Sequence, residues 1–380
     1  MCSSDLFHFG DDVDQVGVNL TTDRNGHVVV IGTYLGTLAF GGTAASLTSA
    51  VDSIFIASFD ASTGSALWAK NIDLGGGALL GIATDPIDNG VVVTGFTGTG
   101  TVANFGAGSP TFTNGGGKDA VVAKFASADG ALVWAQEYGG TLDQLSNAVA
   151  VDAGGAIYIT GQYSGDVNFG AGPLPTASSA SKRIFVARLD RLTGTGTASA
   201  AFGTSGQQAS VAIATDAAGN VILGGSITGG TVNFGTGALV SAGAQDSFVA
   251  KLTPSLTGLW ARRFGDATTQ NTKGVAVDSS GNVIVTGLFQ GVIDASPAAT
   301  LTSAGGFDAF IATLDGATGA VKCAAAGGDA SDQTGNSVAV DGNGNQYVLG
   351  SFVSSIDWDG LGALQGSTTA SQTFLVKRAN

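Results

Sequence analysis

Five glutamines recur at one fixed place in this chain. Gln15, Gln144, Gln208, Gln270 and Gln333 each stand eight residues before an aspartate: Asp23, Asp152, Asp216, Asp278 and Asp341. The residue ahead of each glutamine is Asp14, Asp143, Gln207, Thr269 or Asp332. Carboxylates and amides supply oxygen ligands for a hard cation such as calcium, and hydrogen-bond partners for a sugar. Asp14, Gln15, Asp143, Gln144, Gln208, Gln270, Asp332 and Gln333 are therefore the candidate ligand-binding set. A simpler role stands beside it: each side chain pairs backbone groups that burial would leave unsatisfied. The series breaks once, at Gly77, where an opening in the ring is expected.

Other chemistry-bearing residues are sparse. The two histidines, His8 and His27, have no serine or cysteine neighbour arranged as a nucleophile. Carboxylate pairs could still do acid–base work, as in glycosidases. The acids here mostly repeat with the period, however, whereas an active site is asymmetric, so no catalytic residue is assigned. Cys2 and Cys323 have no metal-ligand spacing, and no metal residue or essential structural disulfide is expected. Cys2-Ser-Ser-Asp5 reads either as a lipidated mature N-terminus, which makes Cys2 a candidate lipidation site, or as a free thiol.

The same beat organises the whole chain. The turn aspartate recurs at Asp23, Asp85, Asp152, Asp216, Asp278 and Asp341, and the centre of a second phrase at Phe55, Val121, Phe185, Phe248, Phe310 and Phe374. A fixed period of this size marks a repeat architecture. Each unit reads as four strands: one ending at the turn aspartate, one after the turn, the Phe-Val-Ala-Lys phrase, and a strand such as Leu259 to Gly265. Asp-x-x-Gly is a hairpin turn, because the carboxylate accepts backbone N–H groups and glycine tolerates positive φ. A glycine near the end of strand two (Gly32, Gly95, Gly161, Gly225, Gly287, Gly350) marks a bulge or a close backbone approach.

Radial repetition of four-stranded units gives the fold class: all-β, a six-bladed β-propeller of antiparallel blades, one domain over residues 1–380. The sixth unit lacks strand four, so residues 5 to 10 are expected to pair beside residues 373 to 377 and close the ring. The units exceed ordinary propeller blades in length between strands two and three. Phe40, Phe105, Phe169, Phe234 and Trp358 in those stretches are read as plugs pinning the loop to its blade, with sugar stacking as the alternative. Ala295 stands in that place in the fifth unit.

Bulk composition narrows the partners. Lys and Arg number 15 against 29 Asp and Glu, a net charge of −14 that repels phosphate backbones and anionic headgroups, so no nucleic acid is expected. No apolar run has the length of a membrane span, and no signal-peptide h-region is present.

Asp246 to Leu252, then Gly258-Leu-Trp-Ala261, Phe264-Gly265 and Val275 to Gly287, resemble the bacterial SBBP-type propeller repeat. The resemblance covers the chain in degenerate copies. It implies a secreted or surface-exposed bacterial protein with a scaffold-defined fold and no family catalytic residues. Asp60-Ala-Ser-Thr-Gly-Ser-Ala-Leu-Trp68 resembles the tryptophan-docking motif of quinoprotein dehydrogenases, where the motif staples blades together. Trp68, Trp134 and Trp260 are accordingly expected to be packing residues, and their place is taken by Ala198 and Cys323 in two units. The functional expectation is a non-catalytic binding or structural module, extracellular or at the cell surface. Its partner is expected to be a surface protein or glycan; no cofactor is expected, with calcium as the alternative. A secreted glycan-acting enzyme is the alternative, and a quinoprotein stands behind it.

Overall fold

The computed structural model describes residues 9–12, 14–100, 103–112, 115–295, 298–358, 360 and 362–379. They form an all-β six-bladed propeller of mainly four-stranded antiparallel blades. Blade 1 is built from Gln15–Thr22, His27–Leu38, Leu47–Asp60 and Ala66–Ile72, and blade 2 from Ala78–Thr84, Val91–Phe96, Ala120–Phe125 and Leu132–Tyr138. Blade 3 uses Gln144–Val151, Ile157–Tyr163, Arg183–Leu189 and Gly196–Phe202. Blade 4 uses Gln207–Thr215, Val221–Thr228, Asp246–Leu252 and Gly258–Phe264. Blade 5 uses Gln270–Val277, Val283–Phe289, Asp308–Leu314 and Val321–Gly327. Blade 6 has three strands among the described residues: Gln333–Val340, Gln346–Phe352 and Gln372–Arg378. The chain divides into two compact units, Met1–Thr176 with Ala187–Ser199 and Ala177–Val186 with Ala200–Asn380. No helix among the described residues is long and apolar enough to cross a membrane.

The expected turns form. Asp278 Oδ1 accepts the N–H groups of Ser280 at 2.9 Å and Asn282 at 2.8 Å, and Asn282 Nδ2 donates to Asp278 Oδ2 at 2.7 Å. Asp216 and Asp341 make the same three bonds. In blade 1, His27 Nδ1 fills the place of the asparagine amide, 2.8 Å from Asp23 Oδ2. The strand-two glycine also has its physical cause. Strands one and two of blade 5 shift register between Thr272 and Gly274, and a Cβ on Gly287 would stand 1.9 Å from the Asn271 carbonyl oxygen.

The long connections behave as plugged loops. In blades 4 to 6 they carry small hairpins, Thr231–Asn233 with Ala238–Val240, Val292–Ala295 with Ala299–Thr302, and Ser355–Ile356 with Leu364–Gln365. Phe40, Phe105, Phe169, Phe234 and Trp358 are all buried. Phe234 sits 5.2 Å from Phe248, and Phe40 5.4 Å from Phe55, ring centroid to ring centroid. Aromatic pairs at this spacing add to the area they bury.

Residues 5–8 of the expected closing segment, with His8 among them, and Cys2 lie outside the described residues. Phe9 packs on Phe40 at 5.4 Å and on Phe59 at 5.2 Å, in blade 1. Tyr138, the last residue of strand four in blade 2, meets Phe169 in the same way at 5.0 Å, and Phe202 meets Phe234 at 4.7 Å. Phe9 thus has the place that strand-four aromatics have elsewhere.

Candidate functional site

The recurring glutamine is the first residue of its blade's first strand, or the second in blade 4, and its side chain folds back onto the blade's own loops. Gln144, Gln270 and Gln333 have 0% exposure, and Gln208 has 1%. Gln144 Nε2 donates to the Ser164 carbonyl at 2.9 Å, while its Oε1 accepts the Gly140 N–H at 3.0 Å. Gln270 Nε2 donates to Asp266 Oδ1 at 2.8 Å and to the Gln290 carbonyl at 2.7 Å. Gln333 Nε2 reaches Asp329 Oδ1 at 2.7 Å and the Ser355 carbonyl at 3.1 Å, and Gln208 Nε2 reaches the Gly229 carbonyl at 3.1 Å. Gln15, half-buried, donates to Asp11 Oδ1 at 2.8 Å. Glutamine suits this task because one flexible side chain carries donors and an acceptor, and the loop backbone offers both. The amides therefore tie the entrance of strand one to the exit of strand two.

The neighbouring carboxylates face outward. Asp14, Asp143 and Asp332 are exposed. Asp143 Oδ1 accepts the Lys118 N–H at 3.1 Å, and Asp332 Oδ1 accepts the Phe307 N–H at 3.0 Å. Each holds the approach to the third strand of the preceding blade.

At Gly77 the pattern changes physically. A Cβ there would lie 2.0 Å from the Phe96 carbonyl oxygen, so backbone rests on backbone where other blades insert the glutamine. The Gly98 N–H closes the loop onto the Leu74 carbonyl at 2.7 Å. Beside this glycine turn opens a cleft of about 700 Å³, lined by Thr33, Ser49, Asp52, Ser53, Asn71 and Asp73 with Val51, Ile54 and residues 74 to 77. Tyr34 Oη donates to Asn71 Oδ1 at 3.0 Å and fixes that amide, and Asp73 Oδ1 accepts the Gly75 N–H at 2.9 Å. Ser49 and Ser53 share a hydroxyl contact of 2.8 Å. The volume and the few converging polar groups fit a small-ligand site.

A carboxylate pair, Asp119 buried and Glu137 half-buried, was not singled out by the sequence. Asp119 precedes strand three of blade 2 and Glu137 lies on strand four, where Val121 pairs with Glu137. Burial, with the Asp119 charge added, pushes the Glu137 carboxyl up to about 7. Burial also raises Asp119 above the ordinary carboxylate range. The folded chain thus binds a Glu137 proton between its ordinary value of 4.5 and about 7, and the stability conferred by that proton is lost as pH rises through this window. In chelator, Glu137→Gln leaves the unfolding midpoint nearly unchanged at pH 5. At pH 8.5 it stabilises the chain by about 1–2 kcal/mol, after allowance for partial exposure. Equal midpoint shifts at both pH values would contradict this account of the pair.

The tryptophans join neighbouring blades. Trp68 Nε1 donates to the Ser127 carbonyl at 2.7 Å, Trp134 Nε1 to Arg191 at 3.0 Å, and Trp260 Nε1 to Gly316 at 3.1 Å. Each indole covers a glycine of the next blade's turn: a Cβ on Gly130, Gly194 or Gly319 would come within 2.6 Å of the ring. The lysine of the strand-three phrase bridges as well. Lys251 Nζ lies 2.8 Å from Asp216 Oδ2 and donates to the Gly316 carbonyl at 2.7 Å. Lys124, 1% exposed, meets Asp85 at 2.6 Å and Asp88 at 2.7 Å, and Arg191 closes the network on the same two carboxylates. Neither lysine was assigned a role from sequence, although the repeat of the phrase was the available signal. Cys323, in the tryptophan place of blade 5, is exposed and unbridged among the described residues.

No family model matches this chain. A curated viral protein, the "Uncharacterized WD repeat-containing protein L264" of Acanthamoeba polyphaga mimivirus, is 28% identical over 155 residues, which is 37% of this chain and 11% of that protein. The matched segment therefore spans about a tenth of that relative's length. Among solved structures, quinohemoprotein alcohol dehydrogenase from Comamonas testosteroni superposes with a TM-score of 0.43 at 13% identity, over 87% of this chain and 56% of that one. The quinohemoprotein alcohol dehydrogenase ADHIIG from Pseudomonas putida HK5 gives 0.41 at 12%, over 86% and 54%. BamB from Moraxella catarrhalis gives 0.38 at 12%, over 90% and 96%. Scores and identities of this size carry no functional argument.

Proposed function

We propose that this chain is a non-catalytic binding module of SBBP-repeat type, one propeller domain exported by a bacterium and working outside the cell or at its surface. Its partner is a hydroxyl-rich surface glycan. The observation that carries this reading is the cleft beside Gly75, Gly76 and Gly77. Elsewhere the repeated polar residues bond within a blade or to the next one. Here blade 2 leaves out the glutamine, and blade 1 with its exit to the glycine turn presents serine and threonine hydroxyls, two carboxylates and a fixed amide around an open volume. Such groups give and receive hydrogen bonds from sugar hydroxyls, while Val51, Ile54 and Leu74 offer apolar contact. The exposed carboxylate Asp143 is a second place for contact.

The test is binding of the full chain to an array of defined bacterial and plant cell-wall oligosaccharides. A subset is expected to bind, and Ser53→Ala with Asn71→Ala is expected to weaken that binding at least tenfold, because two hydrogen bonds to the sugar are lost together. Binding that survives this double variant and disappears in Asp143→Asn would move the site to that carboxylate. An array without any binder would remove the glycan reading.

A further inference from the structure

The repeat itself supplies a comparison at the start of strand three. Asp119, Asp246 and Asp308 occupy the same place in blades 2, 4 and 5, directly before or at the first residue of that strand. All three are buried, at 1%, 0% and 2% exposure. Each uses Oδ2 to accept an N–H four residues back: Gly115 at 3.1 Å, Ala242 at 2.6 Å and Ala304 at 2.5 Å. What the other oxygen meets depends on strand four. In blade 4, Arg263 places its Nη1 2.5 Å from Asp246 Oδ1. In blade 5 the equivalent residue is Ala326, and in blade 2 it is Glu137.

Blade 2 therefore adds a second negative charge where blade 4 has a cation. Asp119 Oδ1 and Glu137 Oε1 are both buried and have no hydrogen-bond partner among the described residues; Asp308 Oδ1 in blade 5 is in the same state, but there an alanine and not a second carboxylate stands opposite. The adjacent Gly140 N–H donates to Gln144 Oε1 at 3.0 Å. A third carboxylate, Asp143, borders the pair and is open to solvent. In blade 4 the residue matching Asp143 is Thr269, so the blade with a built-in cation also has one acid fewer. A buried charge demands a paired opposite charge, and two facing carboxylates without one are costly.

We propose that Asp119 and Glu137 hold a calcium ion, in the position that the Arg263 guanidinium takes in blade 4. Hard oxygen ligands and a net double charge select a divalent hard cation. Among the described residues no three carboxylate, histidine or cysteine side chains converge as metal ligands. The ion keeps much of its water shell, with Asp143 on the approach side, and binds weakly, with a Kd of about 10⁻⁴–10⁻³ M, as in extracellular modules. The ion ties strand three to strand four at the edge of blade 2, and its binding is independent of any ligand in the glycine-lined cleft.

The experiment uses the full chain stripped with chelator, at pH 7.5 and constant ionic strength. Calcium chloride is titrated to 10 mM and followed by thermal unfolding and by calorimetry. Wild type is expected to gain about 2–3 °C with saturation in the stated range. Glu137→Arg, which copies blade 4, is expected to fold without calcium and to lose the calorimetric signal. Glu137→Gln, a smaller change, is expected to weaken binding at least tenfold. No saturable signal in wild type would overturn the proposal and leave the pair holding a proton. An undiminished signal in either variant would overturn it by placing the ion elsewhere. A shift that sodium chloride reproduces would equally overturn it, as screening alone.

Discussion

Trp260→Ala is expected to lower the stability of the folded chain by about 3–5 kcal/mol. The indole is almost wholly buried, and its Nε1–H donates to the Gly316 carbonyl at 3.1 Å. Its ring also lies on Gly319, where any Cβ would come within 2.6 Å. Gly319 has φ of 69°, which glycine adopts without strain and which alanine would resist. Truncation therefore opens a cavity, removes one of two hydrogen bonds to the Gly316 carbonyl and loosens blade 4 from blade 5 together. Denaturant unfolding followed by the remaining tryptophans measures the loss. Gly319→Ala is expected to destabilise in the same direction from the other side of the contact. An unchanged midpoint for Trp260→Ala, with any loss confined to ligand binding, would make the residue part of a site instead of a fastening.

Lys124→Ala carries the second large effect, about 3–5 kcal/mol. Asp85 has no solvent exposure, and Lys124 Nζ is 2.6 Å from its Oδ2. Arg191 Nε remains at 3.1 Å, but it is partly exposed and shared with Asp88. Removing the lysine leaves a buried carboxylate with half its compensation and unties the blade 2 hairpin turn from strand three of the same blade. Lys124→Ala with Asp85→Asn should recover much of the loss, since neither charge is then buried alone. Thermal unfolding of the two variants decides the matter, and a double variant no better than the single one would contradict the charge argument.

Features set by near neighbours in sequence were legible, and features set by strand register were not. The Asp278 turn, the Gly287 bulge and the plug Phe234 are each fixed within a few residues or one hairpin, so periodicity and residue type revealed them. The glutamines were found by their spacing, but burial separates their role from that of the exposed acid beside each. Asp119 and Glu137 are 18 positions apart in sequence and meet only because Val121 pairs with Glu137 across strands three and four. The cleft is the volume left where Gly77 replaces a side chain, so the sequence marked the place without showing its lining.

The most direct test of the binding-module reading is hydrogen–deuterium exchange of the full chain, with and without an oligosaccharide taken from the array. Protection is expected in residues 49–54 and 71–77, which line the cleft from blade 1 and from the glycine turn. Protection confined to the plugged loops around Phe169 or Phe234, with no change in those two segments, would contradict it.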